Sequence, residues 1–152
     1  NDVRPRAPAV VSPLAPARPR AKQRLAGLRI LSVDDDPNTR EMLQEALQRG
    51  GAEVISAGSA QEALAELLAH RPDVLVSDIG LPEEDGHDLV RKIRALDKSS
   101  GGATPAVALT GYAREQDQKA ALDAGYQEFV AKPVNLDELT NAILRAAKSG
   151  EM

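Results

Sequence analysis

Asp78 stands where a strongly apolar segment gives way to a loop. Residues 74–77 precede it, and the turn residues Gly80 and Pro82 follow it closely. A continuous apolar run bounded by turn residues is typical of a strand buried on both faces. In an open parallel sheet, ligands and reactive groups lie at the carboxyl ends of the strands. The sequence therefore predicts that Asp78 is a nucleophile that accepts a phosphoryl group.

Further side chains that suit phosphate or a metal ion follow other apolar segments. They are Asp34 and Asp35 after the first predicted strand, Thr110 at the end of the fourth and Lys132 at the end of the fifth. Carboxylates crowded into one crevice repel each other, by about 4 kcal/mol per pair at about 4 Å and an effective dielectric near 20. Oxygen ligands without Cys or His favour a hard cation, and carboxylates completed by water suit Mg²⁺. Lys132 offers a point charge for phosphate, and Thr110 offers a hydroxyl.

The positions of these groups depend on five predicted strands. They are residues 28–33, 52–56, 74–78, 105–109 and 128–131, with residues 98–104 as a surface loop. Strand and helix alternate, which predicts parallel strands joined by right-handed crossover helices on both faces. We expect an α/β, doubly wound, five-stranded parallel sheet of flavodoxin-like order 2-1-3-4-5. In that order the first and third strands are neighbours, so Asp34 and Asp35 are predicted to lie beside Asp78.

Helix caps and apolar periodicity locate the helices. Asp36, Ser59 and Asn135 are predicted N-caps, and residues 113–124 are predicted as the fourth helix. Glu62 is predicted to complete a capping box with Ser59. The residues predicted to face inward are Met42, Leu43, Ala46, Leu47, Ala63, Leu64, Leu67, Leu68, Leu89, Val90, Ile93, Leu96, Leu136, Leu139 and Ile143.

Composition divides the chain of 152 residues into unequal parts. Residues 1–26 are rich in Pro, Arg and Ala and carry six basic groups against Asp2, so we predict a disordered linker. Residues 27–149 are predicted as one domain and residues 150–152 as a tail. The net charge of −4 leaves the domain strongly acidic, which argues against a nucleic-acid surface on it. Because the chain begins with Asn1, we expect a fragment of a longer protein.

Several classes of protein and location are disfavoured. The chain has no Cys, so disulfides and thiolate chemistry are excluded. No apolar run approaches the roughly 20 residues of a membrane span, and the amino end shows no apolar signal region. We therefore expect a cytoplasmic location and no membrane partner.

The segment from about Leu28 to Lys148 resembles a response-regulator receiver domain of bacterial two-component signalling. The matching segments are Val33-Asp34-Asp35-Asp36, Ser77-Asp78-Ile79-Gly80-Leu81-Pro82 with Asp85-Gly86, Leu109-Thr110-Gly111, and Phe129-Val130-Ala131-Lys132-Pro133. The resemblance implies that Asp78 takes a phosphoryl group from a phosphohistidine of a histidine kinase or a histidine phosphotransfer protein. It also implies self-catalysed phosphoryl transfer and dephosphorylation without turnover of a separate substrate.

The resemblance assigns further roles at the site. It implies that Mg²⁺ is held by Asp34, Asp35, Asp78 and the backbone carbonyl of Gly80, with Asp35 a direct ligand. Thr110 and Lys132 would contact the phosphoryl group, and the Lys132–Pro133 bond would be cis. Thr110 and Phe129 are the implied switch residues; Phe129 stands where many members carry Tyr. Val134 stands where an aromatic residue is common, and Gly80 and Tyr112 occupy positions that tune the phosphoryl lifetime.

The resemblance also implies a surface and a context. The fourth helix, fifth strand and last helix would form the output face, which is also a candidate for weak homodimerisation. The linker before the domain favours the carboxyl-terminal receiver of a hybrid sensor kinase, with a stand-alone regulator as the alternative.

Other functions fit the residues less well. An EF-hand needs Gly where Thr39 stands, and a nucleotide-binding domain needs a Gly-rich loop after the first strand. An aspartyl-phosphate phosphatase would carry its nucleophile on the first strand. Neither His70, predicted at a helix end, nor His87, predicted at the surface, lies in a kinase-like helical pair. The main rival is a receiver-like interaction module that is never phosphorylated.

Overall fold

The computed structural model describes residues 23–111 and 115–150, in which five strands alternate with five helices. The strands are β1 (Arg29–Val33), β2 (Glu53–Ala57), β3 (Val74–Asp78), β4 (Ala106–Thr110) and β5 (Glu128–Ala131). The helices are α1 (Pro37–Arg49), α2 (Ala60–His70), α3 (Gly86–Arg94), α4 (Glu115–Ala124) and α5 (Leu136–Gly150). Most of the predicted linker, Tyr112, the predicted start of the fourth helix at residue 113 and the last two residues of the tail lie outside the described residues.

The strands form one parallel sheet of order β2-β1-β3-β4-β5, which confirms the predicted flavodoxin-like topology. In this sheet Val33 of β1 pairs with Ser77 of β3, and Thr110 of β4 pairs with Ala131 of β5. The ends of these four strands therefore lie at the same edge of the sheet. The residues that follow them are brought together there although they are distant in the sequence.

Local sequence signals account for the helix starts. Asp36 accepts hydrogen bonds from the amide of Asn38 and the hydroxyl of Thr39, as its predicted role as N-cap requires. The predicted caps of α2 and α5 are also confirmed: Ser59 accepts from the amide of Glu62 at 3.1 Å, and Asn135 accepts from that of Glu138 at 3.0 Å. The predicted capping box at Ser59 differs in detail, because the Glu62 carboxylate accepts from the amide of Gly58. A reciprocal capping box of Asp85 and Asp88 begins α3.

Two buried clusters cover the two faces of the sheet, so the helices lie on both faces as predicted. One cluster joins α2, α3 and α4 to the sheet through Leu67, Leu89, Ile93 and Ala121, and the other joins α1 and α5 through Leu43, Leu47, Leu139 and Ile143. Every residue of β3 and of β4 is buried. Burial on both faces explains why these strands are continuous apolar runs rather than alternating ones.

Three residues predicted to face inward are exposed instead. The exposed fraction is 54% for Met42, 42% for Leu68 and 48% for Leu136. Each lies next to a buried apolar stripe, and the inner face of each helix is already filled by residues three and four positions apart. The predicted apolar faces were therefore too wide.

The segment predicted as a surface loop at residues 98–104 is more ordered than expected. It begins with a short 3₁₀ helix, Lys98–Ser100, and Gly101 then adopts a φ of 101°. Thr104 is buried, and its hydroxyl donates to the carbonyl of Gly101 at 2.7 Å. Within the described residues, no helix has the length and apolar character to cross a membrane.

The packed region includes residues that the sequence places at the end of the linker. Leu25 is only 1% exposed and belongs to the same cluster as Leu43 and Leu47 of α1. Its amide donates to the carbonyl of Gly50 at 2.8 Å, just past the end of α1. The chain is thus fixed to the domain before residue 27.

We expect the substitution Leu25→Ala to lower the free energy of unfolding by about 2–5 kcal/mol, because it leaves a cavity in the cluster. Urea unfolding would measure this loss. Met42→Ala is the matched control, since its exposed side chain should change stability by less than about 0.5 kcal/mol. Equal stability of the two variants would contradict the anchoring role of Leu25.

Candidate metal and phosphoryl site

Three carboxylates converge at the carboxyl edge of the sheet. Asp34 and Asp35 directly follow β1, and Asp78 is the last residue of β3. One carboxylate oxygen from each of the three lies within 4.8 Å of the others. Asp34 and Asp78 are buried, whereas Asp35 is exposed. The predicted convergence of these acids is therefore present.

Asp34 is almost fully buried, with 1% of its surface exposed. Its Oδ1 accepts a hydrogen bond from the amide of Asp36 at 2.9 Å, but its buried Oδ2 has no hydrogen-bond partner among the described residues. Burial raises the pKa of the Asp34 carboxyl, and the neighbouring charge of Asp78 raises it further, against the lowering effects of the Asp36 amide and Lys132. A buried carboxylate oxygen without a donor is placed to bind a cation.

Lys132 supplies the positive charge at this site. Its Nζ lies 3.1 Å from Oδ2 of Asp78 and 3.7 Å from Oδ2 of Asp34. The amide of Lys132 donates to the carbonyl of Thr110 at 2.7 Å, which fixes the end of β5 against the end of β4. The Lys132–Pro133 bond is cis, as the resemblance implied. One ammonium offsets only part of the charge of three carboxylates.

Two other predicted site residues lie at the same edge. Thr110 is the last residue of β4 and is 7% exposed. The amide of Gly80 donates to Oδ1 of Asp78 at 3.1 Å, which holds the loop after β3 close to the carboxylate. The roles of Thr110 in phosphoryl contact and of the Gly80 carbonyl in metal binding stay predictions.

Phe129, the other predicted switch residue, lies on β5. It is partly buried and packs against the cluster that α2, α3 and α4 form with the sheet. Val134, after the cis peptide bond, packs partly buried against the opposite cluster. Packing alone does not identify a switch, so that role of Phe129 stays a prediction.

Two polar side chains that the sequence did not predict also support the site. Arg40 of α1 donates through Nη1 to the backbone carbonyl of Asp34 at 2.8 Å. Tyr126 is buried, and its hydroxyl donates to the carbonyl of Gly86, the first residue of α3, at 2.7 Å. Burial is the main cause that raises the pKa of the Tyr126 phenol above its usual range. A lone Tyr in a turn and a lone Arg on a helix give no local pattern that would have revealed these contacts.

The prediction for His87 was wrong in part. His70 ends α2 as expected, but His87 is only half exposed, and its buried Nε2 has no hydrogen-bond partner among the described residues. Its ring lies 6.3 Å from that of Tyr126, between centroids. The His87 side chain is therefore partly buried beside Tyr126 instead of lying fully at the surface.

The residues present fit a hard divalent cation. The donor set consists of carboxylate oxygens, and Oδ2 of Asp34 is buried with no hydrogen-bond donor from the described residues. Such ligands suit Mg²⁺ better than a soft metal. A divalent ion would also relieve the repulsion that the single ammonium of Lys132 leaves in place.

The chain is similar to proteins of a known family. The family model described as the response regulator receiver domain matches residues 30–144. The chain belongs to the response regulator receiver family. Receiver domains function in two-component signalling with histidine kinases, and an acidic triad of this kind is typical of their Mg²⁺ site.

The relatives of this receiver differ in size. A 14.6 kDa protein of Leptolyngbya boryana is 46% identical over 80% of this chain and 91% of its own length. The transcriptional regulator KdpE of Escherichia coli is 36% identical over 78% of this chain, which spans only 50% of that regulator. Hybrid signal transduction histidine kinase D of Dictyostelium discoideum is 34% identical over 81% of this chain and 8% of that kinase.

Solved structures show the same fold. A response regulator of Chloroflexus aurantiacus matches with a TM-score of 0.74 and 31% identity, over 80% of this chain and 98% of its own. The receiver domain of sensor histidine kinase PA1611 from Pseudomonas aeruginosa matches with a TM-score of 0.72 and 31% identity, over 81% of this chain and 99% of its own. The structure of that receiver has a magnesium ion coordinated in its active site cleft.

The raised pKa of Asp34 leads to a prediction about stability. The Asp34 carboxyl binds its proton more tightly in the folded state than in the unfolded state. The folded protein therefore loses stability as the pH rises above 3.8, the ordinary pKa of this group. We therefore expect the free energy of unfolding at pH 7 in EDTA to be higher for Asp34→Asn than for the unsubstituted receiver. The advantage should disappear near about pH 3, where both chains are uncharged at this position.

Urea unfolding with and without Mg²⁺ would test this expectation. Mg²⁺ should stabilise the unsubstituted receiver more than Asp34→Asn, because a ligand stabilises only the state that binds it. Asp97→Asn, at an exposed carboxyl with no side-chain cap hydrogen bond, removes the same charge and serves as the control. If the free energy of unfolding at pH 7 without metal is lower for Asp34→Asn than for the unsubstituted receiver, the proposed cost of burying the Asp34 charge is contradicted.

Proposed function

We propose that this receiver accepts a phosphoryl group on Asp78 from a phosphohistidine and passes the signal on by a change in conformation. The observation that carries the proposal is the position of the Asp78 carboxylate, 3.1 Å from the ammonium of Lys132 and grouped with two further carboxylates. A buried acid kept only as a structural residue would not need this set of charges. A phosphoacceptor does, because negative charge accumulates on the transferred group.

The proposed transfer uses groups of this chain in distinct roles. A carboxylate oxygen of Asp78 attacks phosphorus, the P–N bond to the donor imidazole breaks, and its electron pair returns to the imidazole nitrogen. Asp34, Asp35, Asp78 and the carbonyl of Gly80 would hold Mg²⁺. When bound, the ion lowers the charge of the phosphoryl oxygens. Lys132 neutralises a further oxygen, and the Thr110 hydroxyl donates to another.

The return to the resting state is hydrolysis of the same acyl phosphate. Water attacks phosphorus, the P–O bond to the Asp78 carboxylate breaks, and inorganic phosphate leaves. Thr110 at the end of β4 and Phe129 on β5 are the residues that we propose respond to the phosphoryl group. β4 and β5 pair directly with each other, so a change at Thr110 can act on Phe129 through neighbouring strands.

The donor and the context of the domain are part of the proposal. We propose a histidine kinase or a histidine phosphotransfer protein as the donor, a cytoplasmic location and no nucleic-acid contact by the domain itself. The exposed Leu122 of α4 and Leu136 of α5 support an output face, and a weak homodimer, at α4, β5 and α5. A hybrid sensor kinase is the proposed context, with a stand-alone regulator as the alternative that the small Leptolyngbya boryana relative favours.

Incubation with acetyl phosphate and Mg²⁺ tests the phosphoacceptor role. We expect intact mass spectrometry to find one added phosphoryl group, and we expect none in Asp78→Asn, because the amide is not a nucleophile for phosphorus. Asp85→Asn retains Asp78 and is the matched control in the same loop. If the unsubstituted receiver gains no mass, the domain is instead an interaction module that is not phosphorylated. If Asp78→Asn gains the same mass, another residue accepts the phosphoryl group and Asp78 is not the acceptor.

The role of Lys132 gives a separate prediction. We expect Lys132→Met to slow phosphorylation by acetyl phosphate by about 10- to 100-fold, because the charge that stabilises the transferred group is lost. Lys148→Met removes an exposed ammonium from α5 and should leave the rate unchanged. Phos-tag gel electrophoresis over time would measure both rates. Equal rates in the two variants would exclude Lys132 from the transfer.

A further inference from the structure

Tyr126 connects two parts of the domain that are far apart in sequence. It lies in the turn between α4 and β5 and is 3% exposed. Its hydroxyl donates to the carbonyl of Gly86, 40 residues away, at 2.7 Å. Gly86 begins α3, which follows the loop after Asp78.

Gly86 closes this loop, which we define as residues 79–85 and call the acceptor loop. The amide of Gly86 donates to the carbonyl of Ile79 at 2.9 Å, so the first residue of the acceptor loop is hydrogen bonded to the residue that directly follows the loop. A Cβ at Gly86 would lie 2.7 Å from the carbonyl oxygen of Asp78 and 3.0 Å from the hydroxyl of Tyr126. The backbone of Gly86 is thus enclosed between Asp78 and Tyr126.

The same hydroxyl also lies near the residue before Asp78, the fully buried Ser77. Burial raises the pKa of the Tyr126 phenol, and the Ser77 side chain opposes this larger effect by lowering that pKa, so the two side chains are near each other. The Ser77 hydroxyl donates to the carbonyl of Asp78 at 3.1 Å. The Tyr126 hydroxyl therefore lies where the strand enters the acceptor loop and where the loop ends.

We propose that Tyr126 is a positioning residue whose hydroxyl holds the acceptor loop in the conformation that binds Mg²⁺ and presents Asp78. This inference rests on the proposed phosphoacceptor function. The acceptor loop contains Gly80, whose amide fixes Oδ1 of Asp78 and whose carbonyl is the proposed metal ligand. The Tyr126 hydroxyl holds Gly86, and the amide of Gly86 in turn holds the carbonyl of Ile79, the residue before Gly80. These two hydrogen bonds restrict the movement of Gly80 relative to Asp78.

The aromatic ring and the hydroxyl of Tyr126 contribute differently. The ring belongs to the cluster with Leu89 and Ile93 of α3, and a phenylalanine ring would fill the same volume. The hydroxyl is needed only for its hydrogen bonds. Tyr126→Phe therefore removes the link to the acceptor loop without creating a cavity.

The matched control removes a similar hydrogen bond elsewhere. Thr104 is buried just before β4, and its hydroxyl donates to the carbonyl of Gly101 at the same distance of 2.7 Å. Thr104→Val loses that bond but keeps the shape of the side chain. The two variants should have similar free energies of unfolding, so differences at the acceptor loop can be assigned to Tyr126.

Three measurements on the whole chain test the proposal. They are hydrogen exchange of the Gly86 amide by NMR, Mg²⁺ affinity by calorimetry, and the rate of phosphorylation by acetyl phosphate. In Tyr126→Phe we expect exchange at Gly86 to be faster, and Mg²⁺ affinity and rate to be lower, each by about three- to tenfold, the factor for one buried hydrogen bond. Thr104→Val should change each by less than about twofold.

The outcomes separate this inference from the proposed function. Equal Gly86 exchange in the two variants would overturn it, and so would faster exchange in Tyr126→Phe with unchanged Mg²⁺ affinity. If the unsubstituted receiver takes no phosphoryl group, the proposed function fails. In that case Gly86 exchange and Mg²⁺ affinity still decide whether Tyr126 positions the acceptor loop.

Discussion

Repulsion between clustered carboxylates is the main physical constraint on the structure of this receiver. One carboxylate oxygen of each of Asp34, Asp35 and Asp78 lies within 4.8 Å of the others, and the ammonium of Lys132 pairs with Asp34 and Asp78. Such a group of charges opposes folding until a cation joins it. The remaining structure must therefore supply enough packing to hold the acids together without the ion.

The sheet supplies that packing because the acids follow or end its central strands. β1 and β3 are adjacent, and side chains from both enter the two buried clusters. A shift of one residue in the register would exchange the side chains of the two faces, so the register is strongly determined. The same register fixes where each strand ends. Packing of the core thus sets the spacing of the acids.

The sequence predicted the parts that depend on local patterns. Strand ends and N-caps such as Asp36 and Asn135 were found, because apolar runs and capping residues are short-range signals. Exposed Met42 and Leu136 were misplaced, because periodicity gives the direction of an apolar face but not its width. The contact of Tyr126 with Gly86 spans 40 residues and has no local signal. It depends on how α3 and β5 pack, which only the tertiary structure contains.

β5 and the turn before it contact the region around Asp78 from two sides. Lys132, just past the end of the strand, pairs with the carboxylate of Asp78, and Tyr126, just before its start, contacts the end of the acceptor loop. A phosphoryl group on Asp78 would draw the ammonium away from the carboxylate toward the new oxygens. Since β5 is only four residues long, we expect a displacement at one end of the strand to affect the contact at the other. The position of Phe129 between these two contacts is the physical reason to expect a response there.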